Sequence, residues 1–233
     1  MLDEDIKAEA EAWARKNKKT FAKALTDTKR FPGELSPVSV FMAGSPGAGK
    51  TETAKALVKQ LGDGFLHIDP DDFRAAIPGY SGSNSWLFQG AISILLGRVL
   101  DLAFDQKQSF LLDGTLSNLA QAERNIERSL AKKRQVLILY VYQQPQQAWK
   151  FVVARETMEG RRIPRDRFVE QFLGAHSVVN SLKARFGSDV TIDAIVKDIE
   201  GHSRRYHANV SDLNGAVPIA YSPEQLYEIV DSQ

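Results

Sequence analysis

An α/β architecture, with a mostly parallel sheet between layers of helix, is predicted by three observations. Short runs rich in Val, Ile, Leu and Phe occur at Val38–Ala43, 65–68, 109–112, Gln135–Tyr142 and 190–196. They mostly lack polar alternation, the pattern of strands covered on both faces. Helical stretches at 51–61, 84–104, 117–133, 146–159 and 165–186 separate them, and strand alternating with helix implies parallel pairing through crossovers. The third observation is a glycine-rich turn, Gly44–Thr51, set between the first strand and the helix after it.

Taken in order, the chain opens with an amphipathic helix. Ile6, Ala10, Trp13, Phe21 and Leu25 share one face, while Lys16, Lys18 and Lys19 point to solvent. It stops before the breaker pair Pro32-Gly33. The strands and helices then alternate, and a last helix is expected after Ser222-Pro223-Glu224, which suits the N-cap, N1 and N2 positions. No internal repeat, low-complexity tract or long linker interrupts the chain. The expected organisation is one domain over 1–233, with 1–31 as a helical extension packed on it.

Composition excludes several function classes. The chain has 233 residues, 43% apolar and 25% charged, as soluble globular chains do. At this size a core needs neither disulfides nor a metal. The absence of cysteine excludes a disulfide scaffold, cysteine-ligated zinc, an iron–sulfur cluster and a thiol nucleophile. Thirty Lys and Arg against 29 Asp and Glu leave a net charge of +1, so no whole-molecule field draws in nucleic acid or anionic membrane. No apolar run approaches the ~18–20 residues that cross a bilayer. The start, MLDEDIKAEA, has no apolar stretch of the kind a secretory signal carries. The expected location is cytoplasmic.

Gly44-Ser45-Pro46-Gly47-Ala48-Gly49-Lys50-Thr51 satisfies G-x-x-x-x-G-K-S/T at every required position, between a strand and a helix. Glycines at 44, 47 and 49 let the backbone turn tightly. The loop N–H groups then form a nest for phosphate oxygens, reinforced by the N-terminus of the next helix. Lys50 is placed for the β- and γ-phosphates of ATP or GTP, and the Thr51 hydroxyl for Mg²⁺. This is a P-loop, and it fixes nucleotide binding rather than a reaction.

Further candidates lie downstream, at the C-terminal strand ends where α/β sheets bind ligands. Asp69 and Asp71, in His67-Ile68-Asp69-Pro70-Asp71-Asp72, can divide the work. One sits near Mg²⁺ or its water shell; the other accepts a proton from a substrate hydroxyl. Asp72 suits a helix cap better. Asp113, at the end of the third strand in Asp113-Gly114-Thr115, is either a magnesium ligand or a contact to substrate hydroxyls. Arg155 and Gly160-Arg161-Arg162 can close on the transferring phosphate, or simply be solvated beside Glu156 and Glu159. The loop from Tyr80 to Ser85 can touch substrate or cap a helix. His67, His176, His202 and His207 form no metal-spaced cluster.

The ordered set GSPGAGKTE, IDPDDFR with its second Asp 21 residues beyond Lys50, FLLDGT, and Arg155 followed by GRRIP resembles the zeta toxin family. These are P-loop kinases of bacterial toxin–antitoxin systems, and the resemblance runs from the first helix to about residue 200. It implies a three-layer P-loop kinase fold that uses ATP and Mg²⁺ to phosphorylate the sugar 3′-hydroxyl of UDP-N-acetylglucosamine. It implies Lys50 and Thr51 for ATP and metal, Asp71 as the base, Asp113 and Thr115 at the substrate, and Arg155 with Arg161 on the moving phosphate. It also implies a protein antitoxin as partner. Two departures stand out: the family has Glu where Asp113 lies, and the Arg155–Arg161 spacing is short, so Arg162 is a rival for the second place. The competing functions are a P-loop kinase of an antibiotic, nucleoside or sugar, and an ATP-dependent switch without phosphoryl transfer.

Overall fold

The computed structural model describes residues 2–160, 162–197, 204–217 and 221–232. Its strands are β1 (Val38–Ala43), β2 (Leu66–Ile68), β3 (Phe110–Leu112), β4 (Gln135–Tyr142), β5 (Val190–Lys197) and β6 (Arg204–His207). Its helices are α1 (Asp3–Leu25), α2 (Lys50–Leu61), α3 (Pro70–Arg74), α4 (Gln89–Asp105), α5 (Leu119–Ala131), α6 (Pro145–Glu159), α7 (Arg165–Phe186) and α8 (Pro223–Asp231). A 3₁₀ turn at Ser85–Phe88 leads into α4. The strands form one sheet ordered β2-β3-β1-β4-β5-β6. Every neighbouring pair is parallel except β5 with β6.

The apolar runs are buried on both faces because the helices cover the sheet from two sides. Along β1, Phe41 and Ala43 join one core cluster while Val40 and Met42 join another. The cover is uneven. The second, smaller cluster sits under α2 through Ala54, Leu57 and Val58, whereas residues of α1 and of α3 through α8 join the first. Near-continuous hydrophobicity along β4, with Ile138, Tyr140 and Tyr142 on one side and Leu139 and Val141 on the other, follows from this.

Helix α1 packs along α4. Its buried positions are Ala10, Ala14 and Ala22, small residues that admit close approach, while Ile6, Trp13, Phe21 and Leu25 cover the rim of the same core. The Phe21 and Phe73 rings meet edge to face at 5.0 Å, so α1 also braces α3 at the end of β2. One sequence expectation needs correction here. The 21-residue stretch Ser85–Asp105 is long and apolar enough to span a bilayer by length and composition. Its Ile92, Leu95, Val99 and Leu100 are nevertheless buried in the core, which accounts for that apolarity.

A second clamp sits at the opposite end of the sheet from the P-loop. Arg134, only 4% exposed, donates from Nε to the Ser39 hydroxyl at 2.7 Å and from Nη2 to the Val38 and Gln108 carbonyls at 2.8 and 2.6 Å. Its guanidinium lies over the Phe104 and Phe110 rings. Gln108 in turn donates to the Thr26 and Phe31 carbonyls at 3.0 and 2.7 Å, tying the segment after α1 to the sheet.

Candidate active site

Gly44–Thr51 runs directly from the end of β1 into α2. Gly47 has φ 73° and Gly49 φ 78°, both left-handed. A Cβ at Gly47 would stand 2.1 Å from the Ala148 carbonyl oxygen, and one at Gly49 would stand 1.9 Å from Lys197 Nζ. Glycine at 47 is therefore a requirement of backbone shape and of close packing against backbone together, and at 49 of backbone shape, since the flexible end of Lys197 can move aside. Lys197, at the end of β5, donates to the Gly49 carbonyl at 3.0 Å. Lys50 is 9% exposed and donates to the Ser45 carbonyl at 2.7 Å. The Gly44 amide donates to the Thr115 carbonyl at 3.2 Å, which joins the loop to the segment beyond β3.

A cleft of about 300 Å³ opens beside the loop, lined by Thr51, Lys55, Asp69, Asp71, Asp72, Arg74, Tyr80 and Arg155. It brings together Thr51, Asp69, Asp71 and Arg155, expected from sequence to share one site. It adds Lys55 and Arg74, which carry no site signal in the sequence, and Tyr80, from the loop that suits either a substrate contact or a helix cap. Tyr80 reaches the cleft, while Asn84 organises that loop, donating to the Gly79 carbonyl at 2.9 Å and accepting from the Ser81 amide at 3.0 Å.

The cap of α3 is Asp69, not Asp72 as expected: its carboxylate accepts from the Asp71 amide at 2.9 Å. The reason is placement, since the N-cap is the last residue before Pro70 at N1. Burial first, then the Asp71 carboxylate, push the Asp69 carboxyl up to about 6, with Asp113 and Asp72 adding and the Asp71 amide partly offsetting. Asp71 is paired with Arg74, an i,i+3 contact within α3.

That crowding of carboxylates, together with the Thr51 hydroxyl, fits a hard divalent cation such as Mg²⁺, whose charge would relieve the repulsion. Among the described residues no three acidic or imidazole groups form a metal cage by themselves. That fits an ion held through one or two protein oxygens and the oxygens of a nucleotide.

Asp113 is placed differently from Asp69 and Asp71. It is 5% exposed, its amide donates to the Ile68 carbonyl at 2.8 Å, and its Oδ2 lies 3.8 Å from His67 Nε2, beyond hydrogen-bond range. Neither atom has a hydrogen-bond partner among the described residues. The carboxylate is buried and is not among the residues that line the cleft. Thr115 is half-buried, its hydroxyl 3.0 Å from that of Ser117. On the arginine side, Arg155 reaches the cleft, whereas Arg162 is exposed with Nε 3.9 Å from Glu156. Arg161 lies outside the described residues, as does His202.

Comparison with known proteins identifies the family and the fold. The Zeta toxin family matches residues 22–211. A solved structure from the PezAT chromosomal toxin–antitoxin system of Streptococcus pneumoniae superposes with a TM-score of 0.63 at 14% identity, over 97% of this chain and 88% of that one. The AvrRxo1-ORF1:AvrRxo1-ORF2 complex is similar in its sulphate-bound form (TM-score 0.61, 18% identity, 97% and 71% covered). Its ATP-bound form is similar too (TM-score 0.60, 17% identity, 98% and 71% covered). At these identities the likeness is one of fold. No curated protein matches the sequence. With the family match spanning most of its length and a P-loop joined to an Asp69–Asp71 cleft, the chain belongs to the zeta toxin family.

Proposed function

We propose that this chain transfers the γ-phosphoryl group of ATP to a sugar hydroxyl of UDP-N-acetylglucosamine or a related nucleotide sugar. The coarser part, an ATP-dependent P-loop kinase, rests on the family match and on the P-loop kinase fold. The observation that carries the acceptor chemistry is the single cleft in which Thr51, Asp69, Asp71 and Arg155 meet. In the transfer, the acceptor oxygen bonds to the γ-phosphorus, the bond from that phosphorus to the bridging oxygen breaks, and ADP leaves. The hydroxyl proton passes to the Asp71 carboxylate. The P-loop amides and Lys50 hold the phosphates, and Arg155, with Arg161 or Arg162, offsets charge on the transferring group. Thr51 and Asp69 would hold Mg²⁺, which neutralises phosphate charge when bound.

Purified protein, ATP, Mg²⁺ and the nucleotide sugar should yield a phosphorylated sugar product by mass spectrometry. Lys50→Ala and Asp71→Asn should each slow its formation by at least about 10²-fold while leaving a measurable residual rate; full turnover in both variants would remove these residues from the mechanism.

A second acceptor class is favoured by one observation. Asp113 is a methylene shorter than the family's Glu and buried against His67, so the expected acidic contact is withdrawn from the cleft. A different hydroxylated acceptor, such as a nucleoside, sugar or antibiotic, fits the loss of that contact. Treating a metabolite extract with the protein and ATP distinguishes the two by the mass of the product.

The proposal includes a protein antitoxin, supported by family membership and by the toxin–antitoxin system to which the pneumococcal structure belongs. Expression of the intact chain should arrest growth and Lys50→Ala should relieve the arrest. Normal growth with soluble, active enzyme would refute toxicity.

A further inference from the structure

Two arginines buried among the described residues are held in opposite ways. Arg134 has three acceptors within 2.8 Å and two aromatic faces against its guanidinium, as a side chain buried for stability should. Arg74 is comparably enclosed, at 8% exposure, yet it is paired with a single carboxylate, Asp71, and its buried Nε has no acceptor among the described residues. An orphaned donor costs about 1–3 kcal/mol. A guanidinium placed only to hold α3 together would have no reason to accept that cost, because a five-residue helix at the surface of a core has carbonyls to spare.

Arg74 also lines the cleft beside Asp71, Asp69 and Arg155. Its backbone is rigid: Phe73, the residue before it, is fully buried and packed edge to face on Phe21 of α1. The side chain thus starts from a fixed point and ends on the one carboxylate expected to take the acceptor proton.

We propose that Arg74 is the positioning residue of Asp71, fixing which carboxylate oxygen faces the acceptor hydroxyl and separating Asp71 from the neighbouring Asp69. This rests on the kinase function proposed above. Arg74 acts through Asp71 and not on the phosphate, which distinguishes it from Arg155. A planar guanidinium suits the task better than an ammonium, since it fixes direction as well as charge.

The test uses the full chain with ATP, Mg²⁺ and UDP-N-acetylglucosamine, or whichever acceptor the wild type phosphorylates. Arg74→Met should lower kcat roughly 10²-fold with the KM for ATP unchanged, the scale of loss expected when a reacting group is misplaced by about 1 Å. Arg74→Lys should restore part of the kcat. In an Asp71→Asn background Arg74→Met should cost nothing more, because the group it positions is gone. A raised KM for ATP with kcat intact, or equal additive losses in both backgrounds, would overturn the assignment. If the wild type phosphorylates no acceptor, the kinase function fails separately. The pair is then judged by urea unfolding of the same variants. A double variant whose midpoint shift falls short of the summed single shifts supports the Arg74–Asp71 coupling, and strict additivity overturns it.

Discussion

Lys50 donates its ε-ammonium to the carbonyl oxygen of Ser45, 2.7 Å away, within the loop whose phosphates it is expected to hold. The side chain is therefore bent back over its own P-loop. Entering phosphate oxygens compete with that carbonyl for the same cation, and a doubly charged phosphate is the stronger acceptor. Lys50→Ala should lower kcat/KM for ATP by about 10²–10³, the usual loss when one preorganised donor is removed. The fold should survive, because hydrogen bonds to a charged group contribute only about 1.5–3 kcal/mol each. Steady-state kinetics beside a circular-dichroism melt check both halves; a collapse of the melt would shift Lys50 from function to folding.

Gly47 carries the second expectation. Its φ of 73° is strained for any residue with a Cβ, and a methyl there would meet the Ala148 carbonyl at 2.1 Å. That carbonyl belongs to α6, so relief requires the loop and α6 to part. Gly47→Ala should cost about 1–3 kcal/mol of stability and abolish nucleotide binding, read by urea unfolding and by ATP titration calorimetry. A variant that unfolds early yet binds ATP normally would show that the loop relaxes without moving its amides.

The P-loop was legible in sequence because its glycines sit where the structure needs positive φ, so spacing encodes shape directly. The long strands and helices were legible because burial on two faces leaves long apolar runs in β1 and β4. Strand β6 was not anticipated. It is an antiparallel edge of four residues, Arg204–His207, and an edge strand with polar side chains carries no apolar signal. The Arg74–Asp71 contact was hidden for another reason. It depends on α3 forming, and five residues are too few for a helical period to show. The burial of Asp113 depends on the pairing of His67 with Leu111 across β2 and β3, a register that no local pattern fixes.

Arg134 should behave as a structural residue throughout. It satisfies Ser39, Val38 and Gln108 at once, and burial lowers its pKa to about 10, which leaves it a cation across the physiological range. Arg134→Met keeps the stem and removes every donor, leaving buried carbonyls unpaired. The expected loss is about 3 kcal/mol, read as a lower urea midpoint, with the KM for ATP unchanged in protein that remains folded. A kinetic defect without a stability defect would contradict the division between this end of the sheet and the site.

The last expectation concerns acid stability. His176 on α7 faces the Tyr140 ring of β4 edge to face, 6.3 Å between centroids. Burial lowers its pKa below the usual 6.5, and Asp212 opposes the shift only in part. The neutral ring is thus the form that the fold accepts. A base whose pKa is lower in the folded than in the unfolded chain leaves stability intact above pH 6.5. As pH falls below that value the unfolded chain takes up the proton first, and stability drops until the folded pKa is passed. Relative to His176→Gln, the wild type should therefore lose melting temperature between pH 7 and pH 5. Asp69, whose carboxyl pKa is raised to about 6, stabilises the folded chain as pH falls through the same window, but it acts equally in both proteins and leaves that difference intact. Superimposable acid limbs for wild type and variant would place the acid sensitivity of this fold elsewhere.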